Sequence, residues 1–256
     1  MTQSVLITGG ASGIGAAVAR RVVEGGGWVC LVDVNEQGVI ELARELGERA
    51  IAVHCDTLEE DAFAAAVTSA ETRMPPLNGL VTCAGIQPRA KPIEDTDTRE
   101  FTRLVESHLT GTFISCRVLG SLMASRRAGA IVTLASVLSF RPGPVLGYTT
   151  AKAAVVNLTQ ALAVQWAGKG VRVNAVAPGW TDTPFLQPRD GRPPRDLTPI
   201  LKATPIGRLL KPSEIAEVVH FLLSPAASGV TGATVPVDGG VMAGAGWFPY
   251  GGFPQE

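Results

Sequence analysis

Along the first third of the chain, short apolar runs alternate with longer amphipathic segments. Ser4 to Thr8, Trp28 to Val32, Ala50 to Cys55 and Gly79 to Thr82 are brief, rich in Val, Ile and Leu, and bounded by Gly, Asp or Pro, which is strand character. The stretches between them, an Ala/Val/Arg segment after Gly15, a second from about Glu36 to Leu46 and a third from Glu59 to about Thr72, carry the spacing of helices. A βαβαβαβ order calls for a parallel sheet covered on both faces, with right-handed crossovers and any ligand at the carboxyl ends of the strands. The pattern continues with a long helix from Thr98 to Ser125, bent near Gly111, a strand from Ala130 to Leu134, and an Ala-rich helix over 147–167 that has no Gly or Pro after Gly147. A strand from Val171 to Val176, a helix opening at Pro212 and a last strand from Thr234 to Val237 complete the prediction. Segment 184–211 reads as an irregular Pro/Arg-rich loop region, and 241–256 as a Gly- and aromatic-rich tail without regular pattern.

The helix over 147–167 is apolar nearly all round. One face covers the sheet, so the other wants a second apolar surface, and a homo-oligomer (dimer or tetramer) through helices 98–125 and 147–167 is expected. At 256 residues the chain fits one α/β domain, a Rossmann-type doubly wound parallel sheet of about seven strands with helices on both faces. Its 22 basic and 23 acidic residues are nearly balanced and unclustered, which argues against nucleic acid or an anionic membrane and for a small-molecule partner. The N-terminus shows no basic and apolar signal pattern, and no apolar run approaches the length of a membrane span. Cys30, Cys55, Cys83 and Cys116 are far apart and read as reduced core thiols, so a cytoplasmic protein is expected. His54, His108 and His220 make no metal-ligand spacing, and no metal is predicted.

Candidate chemistry sits at the strand ends. The first strand runs into Gly9-Gly10-Ala11-Ser12-Gly13-Ile14-Gly15 and then a helix, the arrangement in which a tight backbone turn presents helix N–H groups to a diphosphate. Asp33, followed by Val34, closes the second strand; a carboxylate there accepts from both hydroxyls of an adenosine ribose and repels a 2′-phosphate. Neither Ala11 nor Ser12 offers a cation for that phosphate, which points to NAD; the alternative is that Asp33 caps the helix beginning near Asn35. Asp56-Thr57 falls at the next strand end, near the adenine, and Cys83-Ala84-Gly85 at another, where small residues let a nucleotide pass. Tyr148 and Lys152 lie four residues apart on one helix face. An ammonium about 5 Å from a phenol, at an effective dielectric of about 20, favours the phenolate by roughly 3 kcal/mol, so the expectation is a tyrosine lowered toward neutral pH and fit for general acid-base work.

The ordered set of T-G-x-x-x-G-I-G at Thr8 to Gly15, Asp33, Asp56, Ala84-Gly85, Ser136, Y-x-x-x-K at Tyr148 to Lys152, N-A-V-A-P-G at Asn174 to Gly179 and V-D-G-G at Val237 to Gly240 resembles the short-chain dehydrogenase/reductases. The resemblance implies that Tyr148 exchanges a proton with the substrate oxygen, that Ser136 hydrogen-bonds the same oxygen, and that Lys152 binds the nicotinamide ribose. It implies too that Pro178, Gly179, Thr181 and Thr183 hold the nicotinamide carboxamide. Two departures stand out. Thr82-Cys83-Ala84-Gly85 replaces the family's N-N-A-G, and in Glu106-Ser107-His108-Leu109-Thr110-Gly111 the histidine takes the place of the relay asparagine. His108 either joins the relay, holding a water or titrating near neutral pH, or is a packing residue. The Ser136 to Tyr148 gap is about one residue shorter than in many relatives, with Ser139 as a less favoured stand-in.

The expected activity is NAD-dependent interconversion of a secondary alcohol and a ketone. The rivals are an NADP-dependent 3-oxoacyl-type reductase, which Asp33 opposes, and a dinucleotide-binding protein with a weakened relay. Expected pocket walls are Gln87, Val137, Leu138, Trp180, Phe185 and Leu186; Arg89, Arg141, Arg189, Arg192 and Arg195 are candidates for a substrate carboxylate or are simply solvated, and Trp247, Phe248, Tyr250 and Phe253 are candidates to close a pocket.

Overall fold

The computed structural model describes residues 2–187, 194–244, 246–247 and 252. Its sheet has seven parallel strands, β1 (Ser4–Thr8), β2 (Trp28–Asp33), β3 (Ala50–His54), β4 (Gly79–Thr82), β5 (Gly129–Leu134), β6 (Val171–Pro178) and β7 (Thr234–Val237), in the order β3-β2-β1-β4-β5-β6-β7. The helices are α1 (Gly13–Glu24), α2 (Glu36–Leu46), α3 (Glu60–Glu71), α4 (98–126), α5 (Leu146–Ala167), α6 (Thr198–Lys202), α7 (Pro212–Leu223) and α8 (Val241–Gly244). This is the Rossmann-type α/β fold expected from the sequence. The chain leaves β1 in one direction to build β2 and β3, then returns to lay β4 on the other side, so the carboxyl ends of β1 and β4 flank a topological switch point.

Strand alternation divides the core in two. Val5, Ile7, Val29 and Leu31 face α1, α2 and α7, while Leu6, Cys30, Val32 and Leu80 face α3, α4 and α5. Trp166, near the end of α5, packs in the second cluster with Leu119 and Met123 of α4. The buried stripe of α5 includes Ala151, Lys152, Val155, Thr159 and Ala163; Val164 on the opposite side is 84% exposed.

Three local expectations need correction. The helix over 98–126 is not a plain α-helix bent at Gly111: π-segments at Glu106–Thr110 and Cys116–Gly120 bracket an α-turn at Gly111–Ser115. A Cβ at Gly111 would fall 2.7 Å from Thr57 Oγ1, so the close approach of α4 to the loop after β3 requires glycine there. The region 184–211 contains the short helix α6, and the tail begins with α8, whose first N–H groups are met by Asp238: its carboxylate accepts from Gly240 N at 2.9 Å and Met242 N at 2.8 Å. Arg189, Arg192, Phe248, Tyr250 and Phe253 lie outside the described residues.

Among the described residues no helix is long and apolar enough to cross a membrane, and no group of His, Cys, Asp or Glu is placed to hold a metal ion. The four cysteines are unpaired, and burial pushes the thiols of Cys30, Cys83 and Cys116 up to about 12.

Candidate active site

A continuous cavity of ≈ 650 Å³ opens along the carboxyl ends of the strands. Lining it are Gly9, Ser12, Gly13, Ile14 and Gly15 from the glycine turn, Asp33 and Val34, Asp56 and Thr57, and Cys83, Ala84 and Gly85. The same wall carries His108, Ser136, Tyr148, Lys152, Pro178, Gly179, Thr181 and Thr183.

The nucleotide end is shaped for a dinucleotide. Gly9 has φ +65°, and a Cβ there would lie 2.7 Å from Ala84 N, so the turn after β1 and the tip of β4 meet backbone to backbone. Ala84 N also donates to Thr8 Oγ1 at 3.3 Å. Ser12, at the N-cap of α1, makes no side-chain capping bond, which leaves the first N–H groups of that helix facing the cavity for an anion. Asp33 is fixed by two backbone donors, Ala11 N to Oδ2 at 3.1 Å and Asn35 N to Oδ1 at 3.0 Å. The cap of α2 is Asn35, whose side chain accepts from Gly38 N at 3.1 Å, so Asp33 is not the capping residue. The donor set fits a nicotinamide dinucleotide.

The chemical corner is built where β5 ends against the start of α5. Lys152, 5% exposed, donates from Nζ to the Leu134 carbonyl at the end of β5, and Nζ stands 5.8 Å from the Tyr148 ring centroid. Ser136 Oγ accepts from Leu138 N at 3.1 Å. Ser139 does not line the cavity; its hydroxyl donates to the Lys152 carbonyl at 2.8 Å and accepts from Ser136 N at 3.2 Å, stapling the serine loop to α5. It is therefore a brace for Ser136 and Lys152, a role that sequence reasoning missed.

Charge in this corner is governed by burial. Desolvation pushes the Tyr148 phenol up, with a hydrogen bond from Ser136 opposing it, and pushes the Lys152 amine down to about 8. The expected lowering of the tyrosine by its ammonium neighbour is thus not realised in the protein alone, because removing water costs both charged forms more than their mutual attraction returns.

His108 sits on the first π-segment, 2% exposed. Its Nε2 lies 2.9 Å from the Ile86 carbonyl, which can only accept, so Nε2 carries the proton. Nδ1 is buried without a partner among the described residues. The ring stands edge-on to Tyr148, centroids 4.9 Å apart at 88°. Burial, with the Lys152 charge second, pushes its pKa down to about 3, so the imidazole stays neutral at physiological pH and does not titrate near neutrality. A Cβ on Gly85 would fall 2.1 Å from the His108 Cε1; the glycine and the histidine are a matched pair.

Gln87, Val137, Leu138, Trp180, Phe185 and Leu186 also line the cavity. Phe185 lies 6.0 Å from the Tyr148 ring and 6.3 Å from that of His108. Gln87 Nε2 donates to the Phe185 carbonyl at 2.9 Å and the Gln187 carbonyl at 3.0 Å, tying the segment after β6 to the loop after β4. Arg195 reaches the cavity, whereas Arg141 is turned to the Met242 carbonyl at 2.7 Å.

A glycine-turn nucleotide cleft that ends in a Ser, a Tyr and a Lys defines an oxidoreductase of the nicotinamide type. The comparisons with known proteins agree. The family model described as enoyl-(acyl carrier protein) reductase matches residues 9–242. The cis-4-hydroxycyclohexanecarboxylate dehydrogenase of Sinomonas cyclohexanicum is 40% identical over 241 residues, covering 93% of this chain and 96% of the relative. Galactitol 2-dehydrogenase (L-tagatose-forming) of Cereibacter sphaeroides is 40% identical over 238 residues, 91% of this chain and 92% of the relative. The solved structure of 3-ketoacyl-(acyl-carrier-protein) reductase from Brucella melitensis complexed with NADH superposes with a TM-score of 0.86 at 34% identity, covering 93% of this chain and 98% of that one. The chain belongs to the short-chain dehydrogenase/reductase family and is an oxidoreductase of alcohols and ketones.

Proposed function

We propose that the protein is an NAD-dependent dehydrogenase that interconverts a secondary alcohol and a ketone, with Tyr148 as the general acid and base. The observation that carries this reading is that Ser136, Tyr148 and Lys152 share one cavity with a carboxylate, Asp33, held at the tip of β2. Bound NAD supplies the acceptor for the hydride leaving the carbinol carbon. The chain's own part is the proton. Ser136 and Tyr148 hydrogen-bond the substrate oxygen; in reduction the Tyr148 phenol gives its proton to that oxygen and is left as phenolate, and in oxidation the phenolate, its own proton first released to solvent, takes the hydroxyl proton as the carbonyl forms. Lys152, anchored by Leu134, keeps its remaining N–H groups for the nicotinamide ribose, and its positive charge stabilises the phenolate as it develops. Thr181 and Thr183 lie where the carboxamide would be held; in the protein alone their hydroxyls donate to the Gly179 and Thr181 carbonyls at 3.1 and 3.4 Å. His108, neutral and fixed by Ile86, holds the phenol edge-on in place of the relay asparagine of relatives.

The relatives support this chemistry by what they act on, a hydroxylated ring acid in one case and a polyol in the other, and the Brucella structure by its NADH. Exposed Val164 on α5 and Phe113 on α4 support a homo-oligomer through these helices.

Cofactor choice is the direct test. A 2′-phosphate about 5 Å from Asp33 loses roughly 3 kcal/mol at an effective dielectric of about 20, so kcat/KM with NAD exceeds that with NADP by about a hundred-fold. Replacing Asp33 with Ala narrows the ratio. A wild-type enzyme that prefers NADPH would instead establish the 3-oxoacyl-type reductase reading.

A further inference from the structure

The substrate end of the cavity holds an unclaimed cation. The other charged side chains on the cavity wall are Asp33 at the tip of β2, Asp56 in the loop after β3, Arg103 and Glu106 on α4, and Lys152, which is tied to Leu134. Among the described residues of the segment after β6, Arg195 is the one charged side chain on the wall. Its guanidinium lies over the indole of Trp180, Cζ 5.9 Å from the ring centroid. A cation–π contact of this kind leaves guanidinium N–H groups available for a second partner.

No carboxylate among the described residues takes those N–H groups. The adjacent Asp196 accepts from Thr198 N at 2.9 Å. The platform beneath is firm, because Leu210 N donates to the Trp180 carbonyl at 2.9 Å and Asp182 N to the Leu210 carbonyl at 2.8 Å. The N–H donors of Gln87 and His108 on this wall are already engaged, Gln87 with two carbonyls and His108 with Ile86. The hydroxyls of Ser136 and Tyr148 and the guanidinium of Arg195 share this cavity with the apolar side chains of Leu138, Phe185 and Leu186.

We propose that Arg195, stacked on Trp180, is a specificity residue that takes the carboxylate of the substrate, so that the enzyme acts on hydroxy and oxo acids with an apolar body between the two groups. A planar bidentate pair with a carboxylate is the contact this cation is shaped to make. The inference rests on the oxidoreductase reading and adds the class of substrate. The same N–H groups would also suit a cofactor diphosphate, and the experiment separates the two.

The full-length protein is assayed with NAD and two matched alcohols, cis-4-hydroxycyclohexanecarboxylate and its neutral carboxamide, as wild type, Arg195→Gln and Arg195→Lys. Wild type favours the acid. Arg195→Gln raises KM for the acid by about 10- to 100-fold, the scale of one charge-assisted pair, and leaves the carboxamide within about two-fold; Arg195→Lys recovers part of the loss. NADH affinity, read by its fluorescence, is the same in all three. Equal loss on acid and carboxamide, no loss at all, or a loss of NADH affinity overturns the assignment, the last by giving the cation to the diphosphate. Should neither alcohol turn over, cyclohexanecarboxylate is titrated into the enzyme–NADH complex: saturable binding abolished in Arg195→Gln supports the subsite, and absence of binding to wild type overturns it. An enzyme that oxidises neutral alcohols with NAD but ignores the carboxylate loses only the subsite. One that fails to bind NADH loses the oxidoreductase reading and the subsite with it.

Discussion

The corner around Tyr148 and the segment around Trp180 and Phe185 face each other across one cavity and are held in opposite ways. In the corner the side chains are tied down one by one: Lys152 to Leu134 at the end of β5, Ser136 to Leu138, Ser139 to both Ser136 and Lys152, and His108 to Ile86. Across the cavity, Phe185 and Gln187 are held through their main-chain carbonyls by a single side chain, Gln87. Groups that must meet a moving proton need fixed positions and sit on strand and helix ends. The wall that selects a substrate is a loop, where side chains can change without disturbing the corner.

The largest effect expected from breaking this contrast is in the corner and follows from burial. The folded value of His108 is about 3 against an ordinary 6.5, so between those limits the unfolded chain binds a proton that the folded chain does not. Stability from this residue is complete above pH 6.5 and is lost as the pH falls toward 3, by about 2–3 kcal/mol near pH 4.5. In His108→Asn the loss of unfolding free energy between about pH 7 and about pH 4.5, measured by urea titration, is therefore smaller than in wild type by about that amount. Equal pH slopes in the two proteins would show that the histidine is not held neutral by burial.

A smaller effect is expected on the loop side. Gln87→Ala removes two neutral hydrogen bonds at about 1 kcal/mol each, which frees the Phe185 wall and leaves the corner intact. Steady-state kinetics then show KM for the alcohol rising about ten-fold with kcat within about two-fold. A fall in kcat at unchanged KM would mean that the loop positions the chemistry itself, and the contrast between the two regions would be lost.

The same contrast explains what could be read from the sequence. The seven strands were legible because each is a short apolar run closed by a turn residue, and the two faces because Val5 and Ile7 alternate with Leu6. Ser136, Tyr148, Lys152 and Asp33 were legible because their motifs fall at strand ends in a fixed order. The π-segments of α4 were not, since no spacing of apolar residues marks a π-turn within a helix. Nor was α6, a five-residue helix in a Pro-rich stretch too short to show a period. His108 was visible as a departure, but its need for Gly85 and its neutral state come from tertiary burial, as does the upward shift of Tyr148. The brace formed by Ser139 spans 13 residues and exists only once the loop after β5 has folded back on α5.

The central claim is that the Tyr148 oxygen carries the proton while a bound nicotinamide exchanges the hydride. Its most direct test is NADH formation, followed by absorbance on a substrate that wild type turns over well, in Tyr148→Phe with NADH binding measured on the same preparation. The account predicts unchanged NADH affinity and a fall in kcat of about 10²- to 10⁴-fold. A phenylalanine variant as active as its parent would contradict it.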